Sequence, residues 1–395
     1  MKPTFKAYQF ESELLKNILP FWITIAPDPD NGGFYGGVTN EHEIRNEIPR
    51  TAVSCTRFLW TFSHAFLFNK NNKYLKIAEI AFEYLKSAFW DDEYGGLYWS
   101  VDLNGNPIQD RKHHYAQAFG IYGLSEYFMA TKERSSLNMA IKIFDLLEEH
   151  AFDPNHGGYI EGSSRDWSLL SDMRLGNNDM NCQKSMNTIL HMMEAYTNFI
   201  RVWDNQKIKN QLFKIIENFS NHIIDETGHF ILFFDKEWKS LSNHISYGHD
   251  IEGSWLLYEA AEILGDEKVI SQVKNLVLKL ANGVYVSGID KEGGIIHEAS
   301  PEKKTNPNKE WWPQAEAVVG FYNAYQLSHD VNYLEAAKNS WEYIQNKLID
   351  RKRGGWFKRL LADGSVDHSS LKIGPWEGPY HESRMCFEMI ARLSK

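Results

Sequence analysis

Tyr94-Gly95-Gly96-Leu97-Tyr98-Trp99 carries the pattern that decides the fold: two glycines followed by a short aromatic and aliphatic run. Paired glycines reach positive φ at little steric cost, so the stretch reads as a tight turn leading into a short strand. The signature recurs along the 395-residue chain. It stands at Asn31-Gly32-Gly33-Phe34-Tyr35, His156-Gly157-Gly158-Tyr159, Thr227-Gly228-His229-Phe230, Glu292-Gly293-Gly294-Ile295 and Arg353-Gly354-Gly355-Trp356-Phe357. Successive copies lie 61 to 71 residues apart, the spacing of a repeated supersecondary unit.

Each interval holds two segments with apolar residues at three- and four-residue spacing, the helical period. The spacing predicts helices over 51–68 and 74–89, 115–129 and 135–149, 186–202 and 208–223, 249–264 and 268–284, and 314–327 and 333–348. One helix (8–24) precedes the first turn and one (382–393) follows the last. Together these two make a sixth pair, so the termini close a ring. The expected fold is all-α: an (α/α)6 barrel of six helical hairpins, with short β-hairpins and loops at one end, as a single domain over residues 1–395. An open solenoid would leave the apolar residues of its terminal helices, Leu14, Leu15, Ile18, Met385, Phe387 and Ile390, facing solvent.

Composition narrows the function. The net charge of −10 and the absence of a basic run argue against nucleic acid as a partner. The apolar run 18–27 is too short to span a bilayer and contains Pro20, and charged Glu11, Glu13 and Lys16 precede it, unlike a secretory signal. Three widely spaced cysteines fit a reducing compartment rather than a disulfide framework. A soluble cytoplasmic protein is expected, a monomer or weak homodimer. Aromatic content of 14%, with 13 Trp and 19 Tyr, supplies flat faces on which sugars stack.

If the first helix of each pair is the inner one, polar and aromatic residues gather at one rim. The first inner helix carries Arg57, Trp60 and His64; the second opens with His113, His114 and Tyr115. The third carries Asn187, His191 and Glu194, and the fourth His249 and Glu252. The fifth opens with Trp311, Trp312, Pro313 and Glu316, and the sixth is led by Trp376, Tyr380, His381 and Arg384. In Ser246-Tyr247-Gly248-His249-Asp250-Ile251-Glu252, the i, i+3 spacing places the His249 imidazole beside the Glu252 carboxylate at a helix start. Each residue has a plainer reading. His64 fits a structural role better, His114 is balanced between the two roles, and His191 among Leu190, Met192 and Met193 also fits a core position. Recurrence in six units, not any single residue, points to a site. No His-Glu-x-x-His motif, paired cysteine ligands, phosphate-binding glycine loop or Gly-x-Ser-x-Gly elbow is present, so neither metal nor cofactor is expected.

Over essentially its whole length the chain resembles the N-acylglucosamine 2-epimerase superfamily, and within it the cellobiose 2-epimerases. The resemblance rests on Arg57-Phe58-Leu59-Trp60, Tyr94–Trp99, Lys184–His191, Ser246–Glu252, Trp311–Phe321, Gly374-Pro375-Trp376 and Pro379-Tyr380-His381. It implies inversion at C2 of a reducing-end sugar, with His249 and His381 as the acid/base pair and His191 as a third essential histidine. Arg57, Tyr115, Asn187, Glu252 and Glu316 match pocket-lining positions, and Trp312 and Trp376 match aromatic walls. His114 and Arg384 join the expected sugar-binding set. The chain departs from the family's usual pattern at Glu377-Gly378, Glu382 and His114, and the charged segment 297–309 bears on whether a second sugar ring is admitted.

The chemistry is proton transfer at carbon: ring opening, removal of the C2 proton to an enediolate, and reprotonation on the opposite face. Two histidines perform this without a metal if hydrogen bonds hold the oxygens. Alternatives are a mannose 2-epimerase or an aldose–ketose isomerase acting on monosaccharides. A glycoside hydrolase is more distant; it needs two opposed carboxylates, for which Asp250, Glu252 and Glu316 are available. A sugar-binding protein without catalysis ranks last.

Overall fold

Buried apolar residues run almost continuously through six helices: Ala52–Asn69, His114–Thr131, Met186–Ile200, Tyr247–Leu264, Trp311–Ser328 and Tyr380–Leu393. A helix buried on all sides belongs at the centre of a fold. In the computed structural model, which describes residues 5–176, 179–300 and 306–394, these six form the inner ring. Each packs on the next, and Tyr380–Leu393 packs back on Ala52–Asn69 to close the circle. The outer ring is amphipathic and alternates with it: 7–25, 72–89, Arg134–His150, 206–223, Glu267–Ser287 and 331–348. Ala7–Glu13 packs on Tyr380–Leu393, which pairs the two ends of the chain as their apolar content predicts. The (α/α)6 barrel is therefore present, with helix bounds within a few residues of the sequence expectation.

Two-residue strands close the ring a second time. The strand ahead of each inner helix pairs antiparallel with one from the following unit: Arg50-Thr51 with Val101-Ser100, Lys112-His113 with Ser163-Gly162, and Lys184-Ser185 with Phe234-Phe233. Ile245-Ser246 pairs with Ala299-Glu298 and Lys309-Glu310 with Leu360-Arg359. Leu371–Ile373 then reaches back to Val38-Thr39 in the first unit. All these strands lie where the inner helices begin, so the hairpins form one rim. The Gly-Gly turns behave as expected, with φ of 72° and 75° at Gly95 and Gly96.

An ion pair that the sequence pattern did not reveal pins five of the six turns. The aspartate opening each turn accepts backbone N–H groups of its own turn and a cation from the strand ahead of the next inner helix. Asp28 meets Arg50, and Asp91 meets Lys112 at 2.8 Å. Asp153 meets Lys184 at 3.0 Å, Asp290 meets Lys309 at 2.8 Å, and Asp350 meets Lys372 at 2.5 Å. In the fourth unit Ile245 replaces the cation, and His229 bonds Asp250 at 2.7 Å instead. Among the described residues no helix is long and apolar enough to cross a membrane.

Lys184 and Asp153 are both fully buried. Removing one partner of such a pair strands the other charge, at a cost of about 3–5 kcal/mol. Lys184→Met should lower unfolding free energy by that amount in urea titrations, whereas the exposed-pair variant Lys338→Met should change it by less than about 1 kcal/mol.

Candidate active site

A guanidinium buried at the barrel centre organises the rim. Arg384, in the second turn of the sixth inner helix, is 2% exposed. Its Nη2 donates to Glu252 Oε1 and Glu316 Oε1, both at 2.6 Å. Its Nη1 donates to Glu194 and lies against the Tyr380 hydroxyl, which itself donates to Glu194. Carboxylates from the third, fourth and fifth inner helices thus converge on one cation from the sixth. The Arg384 guanidinium also lies over the rings of Trp255 and Tyr380, 4.8 and 4.4 Å from their centroids.

One cation does not neutralise three acids, and burial decides which of them keeps a proton. Burial opposes ionisation of Glu194, but Arg384 together with hydrogen bonds from His191 and Tyr380 outweighs it and holds Glu194 well below the usual range. Glu252 is raised to about 8 by burial and by the neighbouring Glu316. Glu316 is raised too, chiefly by burial. The pair Glu252/Glu316 therefore retains one proton near neutrality, because two carboxylates on the same guanidinium nitrogen do not both ionise readily. Glu252, Glu316 and His381 offer ligand atoms within 4.8 Å of one another, the spacing of a metal-binding group; here Arg384 already bridges both carboxylates.

The carboxylates in turn orient histidines. His191 Nδ1 bonds Glu194 Oε2 at 2.9 Å, and His381 Nδ1 bonds Glu316 Oε1 at 2.7 Å. His249 is held differently: its Nδ1 bonds the Ser246 hydroxyl at 2.7 Å. The His249 and His381 rings both pack on the Trp312 indole, at 4.8 and 5.6 Å between centroids. Gly248 permits this arrangement, because a Cβ there would sit 2.5 Å from the Trp312 ring. Burial lowers the pKa of all three histidines. For His249 the charges of His191, His297 and His381 add to it, and for His381 those of Arg57 and Arg384.

The remaining wall comes from the first two units. Arg57 Nη2 donates to the Tyr115 hydroxyl at 3.0 Å, and Nη1 to the Trp376 carbonyl at 3.1 Å. The Trp376 ring lies 6.0 Å from Tyr115 and 5.9 Å from Trp99, and Tyr115 is 4.9 Å from His191. A cavity of about 430 Å³, lined in part by Asn187, Ser246, His249 and Phe233, opens beside this cluster. That volume falls in the usual small-molecule range of roughly 300–1,000 Å³. Asn187 Oδ1 is buried there without a hydrogen-bond partner, an acceptor available to a ligand hydroxyl.

Of the residues singled out in the sequence, His249, His381, His191, Arg57, Tyr115, Trp312 and Trp376 come together, and Asn187 lines the adjoining cavity. Glu252 and Glu316 are bonded to Arg384, and Glu316 also to His381. Two expectations are corrected. Glu252 does not pair with His249, because its carboxylate turns to Arg384; the i, i+3 histidine–glutamate pair exists instead as His191–Glu194. His114 does not join the cluster. It is fully buried, its Nδ1 bonds the Ile160 carbonyl, its Nε2 meets Ser163 Oγ at 3.1 Å, and it stacks on Trp167, so it fastens a rim hairpin. Three contributors escaped the sequence reading: Ser246, Trp255, whose Nε1 donates to Glu316 at 3.0 Å, and Trp99. Ser246 alone had a signal, as a serine immediately before a helix that carries a histidine three residues on. The unusual Glu382 is accounted for: it is fully buried, accepting from Trp22 Nε1 at 2.6 Å and from Lys358 Nζ at 2.7 Å. Of the charged segment 297–309, residues 301–305 lie outside the described part of the chain.

Comparison with known proteins agrees with this geometry. The family model for N-acylglucosamine 2-epimerase (GlcNAc 2-epimerase) matches residues 33–381. A cellobiose 2-epimerase of Bacteroides fragilis is 40% identical over 384 residues, covering 97% of this chain and 98% of the relative. One from Ruminococcus albus is 36% identical over 386 residues, with 97% and 98% covered. Among solved structures, the cellobiose 2-epimerase of Bacillus thermoamylovorans B4167 superposes with a TM-score of 0.93 at 36% identity, covering 98% of this chain and 99% of that one.

A carboxyl raised in the folded state contributes stability that is present below its unfolded pKa and lost as pH rises through its folded one. For Glu252 that window runs from about 4.5 to about 8. Glu252→Gln mimics the protonated acid. Wild type should therefore lose stability relative to Glu252→Gln as pH rises through this window, in urea midpoints measured at pH 5 and pH 8.

Proposed function

Because the chain belongs to the N-acylglucosamine 2-epimerase family and is a sugar 2-epimerase, we propose that it inverts C2 of the reducing-end aldose of a disaccharide such as cellobiose or lactose. The observation that carries this reading is the pair of imidazoles, His249 and His381, packed on one Trp312 indole and backed by different partners. Proton transfer to and from carbon needs a base on one face of C2 and an acid on the other. Two histidines meet both needs when one is imidazole and the other imidazolium, and each passes between the two forms within one cycle. The disaccharide preference is supported by the cavity of about 430 Å³ that His249 lines and by the names of the relatives that match nearly the full chain.

Trp312 and Trp376 pack against the sugar faces. The cyclic hemiacetal opens, and the free carbonyl acidifies the C2–H bond. One of His249 and His381 takes the C2 proton and becomes imidazolium; the other, protonated from solvent beforehand, returns its proton to the opposite face and becomes neutral. Arg57 and Tyr115 donate hydrogen bonds to O1 and O2, where negative charge develops in the enediolate. Tyr115 stays protonated at working pH because burial raises its pKa, so it remains a donor. His191, held by Glu194, assists at the substrate oxygens. Arg384 keeps Glu316 and Glu194 in place behind His381 and His191. The positive charge near the enediolate thus comes from Arg57, without a metal. Reprotonation at C1 instead of C2 gives the ketose, so a minor isomerase activity shares the same intermediate. Three free, buried cysteines support a reducing, cytoplasmic setting.

Proton NMR in heavy water tests the reading. Cellobiose and lactose should gain deuterium at C2 and yield the glucosyl- and galactosyl-mannose epimers, ahead of mannose and N-acetylglucosamine. Release of free glucose from cellobiose without C2 exchange would instead indicate hydrolysis. His249→Ala and His381→Ala should fold normally, by circular dichroism and thermal unfolding, and each lose about 10²–10⁴-fold in turnover. Retained turnover in either variant would remove that histidine from the mechanism. Activity should persist below pH 6.5 and fall only at lower pH, because burial lowers the pKa of both imidazoles.

A further inference from the structure

His191 and His381 each lean on a carboxylate, but His249 leans on a hydroxyl. The donor of that hydroxyl is unusual for its position. Ser246 is the residue immediately before the fourth inner helix, where a serine normally accepts a backbone N–H of the first turn. Its counterparts do so: Thr51 Oγ1 accepts from Ser54 N at 3.2 Å, and Ser185 Oγ from Thr188 N at 3.1 Å. Ser246 makes no such cap; its Oγ meets His249 Nδ1 at 2.7 Å. The residue is 1% exposed, and its strand pairing with Glu298 fixes the backbone from which the hydroxyl projects. Ser246 and His249 also line the same cavity.

We propose that Ser246 is a positioning residue for the epimerisation proposed above, its oxygen accepting the Nδ1–H of His249 and so fixing the tautomer that leaves Nε2 free to work at C2. A carboxylate at this place would raise the basicity of the ring strongly; a hydroxyl accepting Nδ1–H orients the ring and raises it less. The charged or titratable groups facing His249 are His191 from the third inner helix, His381 from the sixth and His297 ahead of the fifth. None of them is an anion, so Ser246 supplies the orientation that Glu194 and Glu316 supply elsewhere.

Two measurements separate this inference from the reading it rests on. The first needs no turnover. In ¹⁵N spectra of histidine-labelled protein, with the His249 signal identified by its absence from His249→Asn, His249 should be protonated on Nδ1; protonation on Nε2 overturns the proposal whatever the protein catalyses. The second is C2 exchange in heavy water. Ser246→Ala should keep its thermal midpoint, since no cap is lost. Its kcat should fall by about tenfold or more, the scale of one lost hydrogen bond to a working group, with KM changed less than about twofold. The acidic limb of its pH profile should move to lower pH, because the imidazolium loses an acceptor. Ser246→Thr should restore most of the rate. Unchanged kcat and pH profile in Ser246→Ala, or a Thr variant as slow as the Ala variant, overturns it. Failure of the epimerase reading shows separately, as absent C2 exchange in wild type.

Discussion

The contact of Arg384 with Glu194, Glu252 and Glu316 is the constraint on which the site depends. A guanidinium 2% exposed is tolerable only if its charge is met, and here it is met by three acids from three different helices. Those acids are tolerable for the same reason. Two of them also hold a histidine: Glu194 meets His191 through its second oxygen, and Glu316 meets His381 through the same Oε1 that accepts from Arg384. The buried network therefore fixes imidazole orientation by electrostatic necessity rather than by packing alone.

That network in turn requires a closed ring. Arg384 stands on the last helix of the chain and its partners on the third, fourth and fifth inner helices. They meet only because Tyr380–Leu393 packs between Ala52–Asn69 and Trp311–Ser328, and because Leu371–Ile373 pairs with Val38-Thr39. The recurring aspartate–cation pairs fasten the rim from which the inner helices start. The fourth unit is the exception: it lacks the cation, carries His229–Asp250 instead, and holds His249 at its helix start. The repeat is thus most altered beneath one of the two histidines assigned to proton transfer, a pattern in which local regularity gives way at a working site.

The parts of the site divide by chemistry. Arg57, Tyr115 and Trp376 form a donor-bearing aromatic wall, and Trp312 serves as a common floor for His249 and His381. Burial lowers the pKa of the imidazoles while Arg384 keeps the acids beside them in place. The proposed epimerisation asks this site to move protons between carbon and nitrogen with positive charge close by, as an enediolate intermediate demands.

Sequence by itself determined the architecture. Glycine pairs at near-constant spacing, helical periodicity between them and a half-unit at each end specify six hairpins in a ring, because turn geometry and amphipathic period are local properties of the chain. It also singled out residues that gather at one rim, since unusual side chains recur at one place in successive units. Tertiary structure decided how those residues connect. Neighbouring positions on a helix suggested that Glu252 serves His249, yet an arginine 132 residues away takes the carboxylate. His114, expected in the sugar-binding set, is instead held in a rim hairpin by Ile160 and Ser163. The Ser246 contact, the shared proton on Glu252 and Glu316, and the Asp–Lys fasteners depend on distance and burial across the ring. A linear sequence encodes neither, because both come from helices that meet only when the barrel closes.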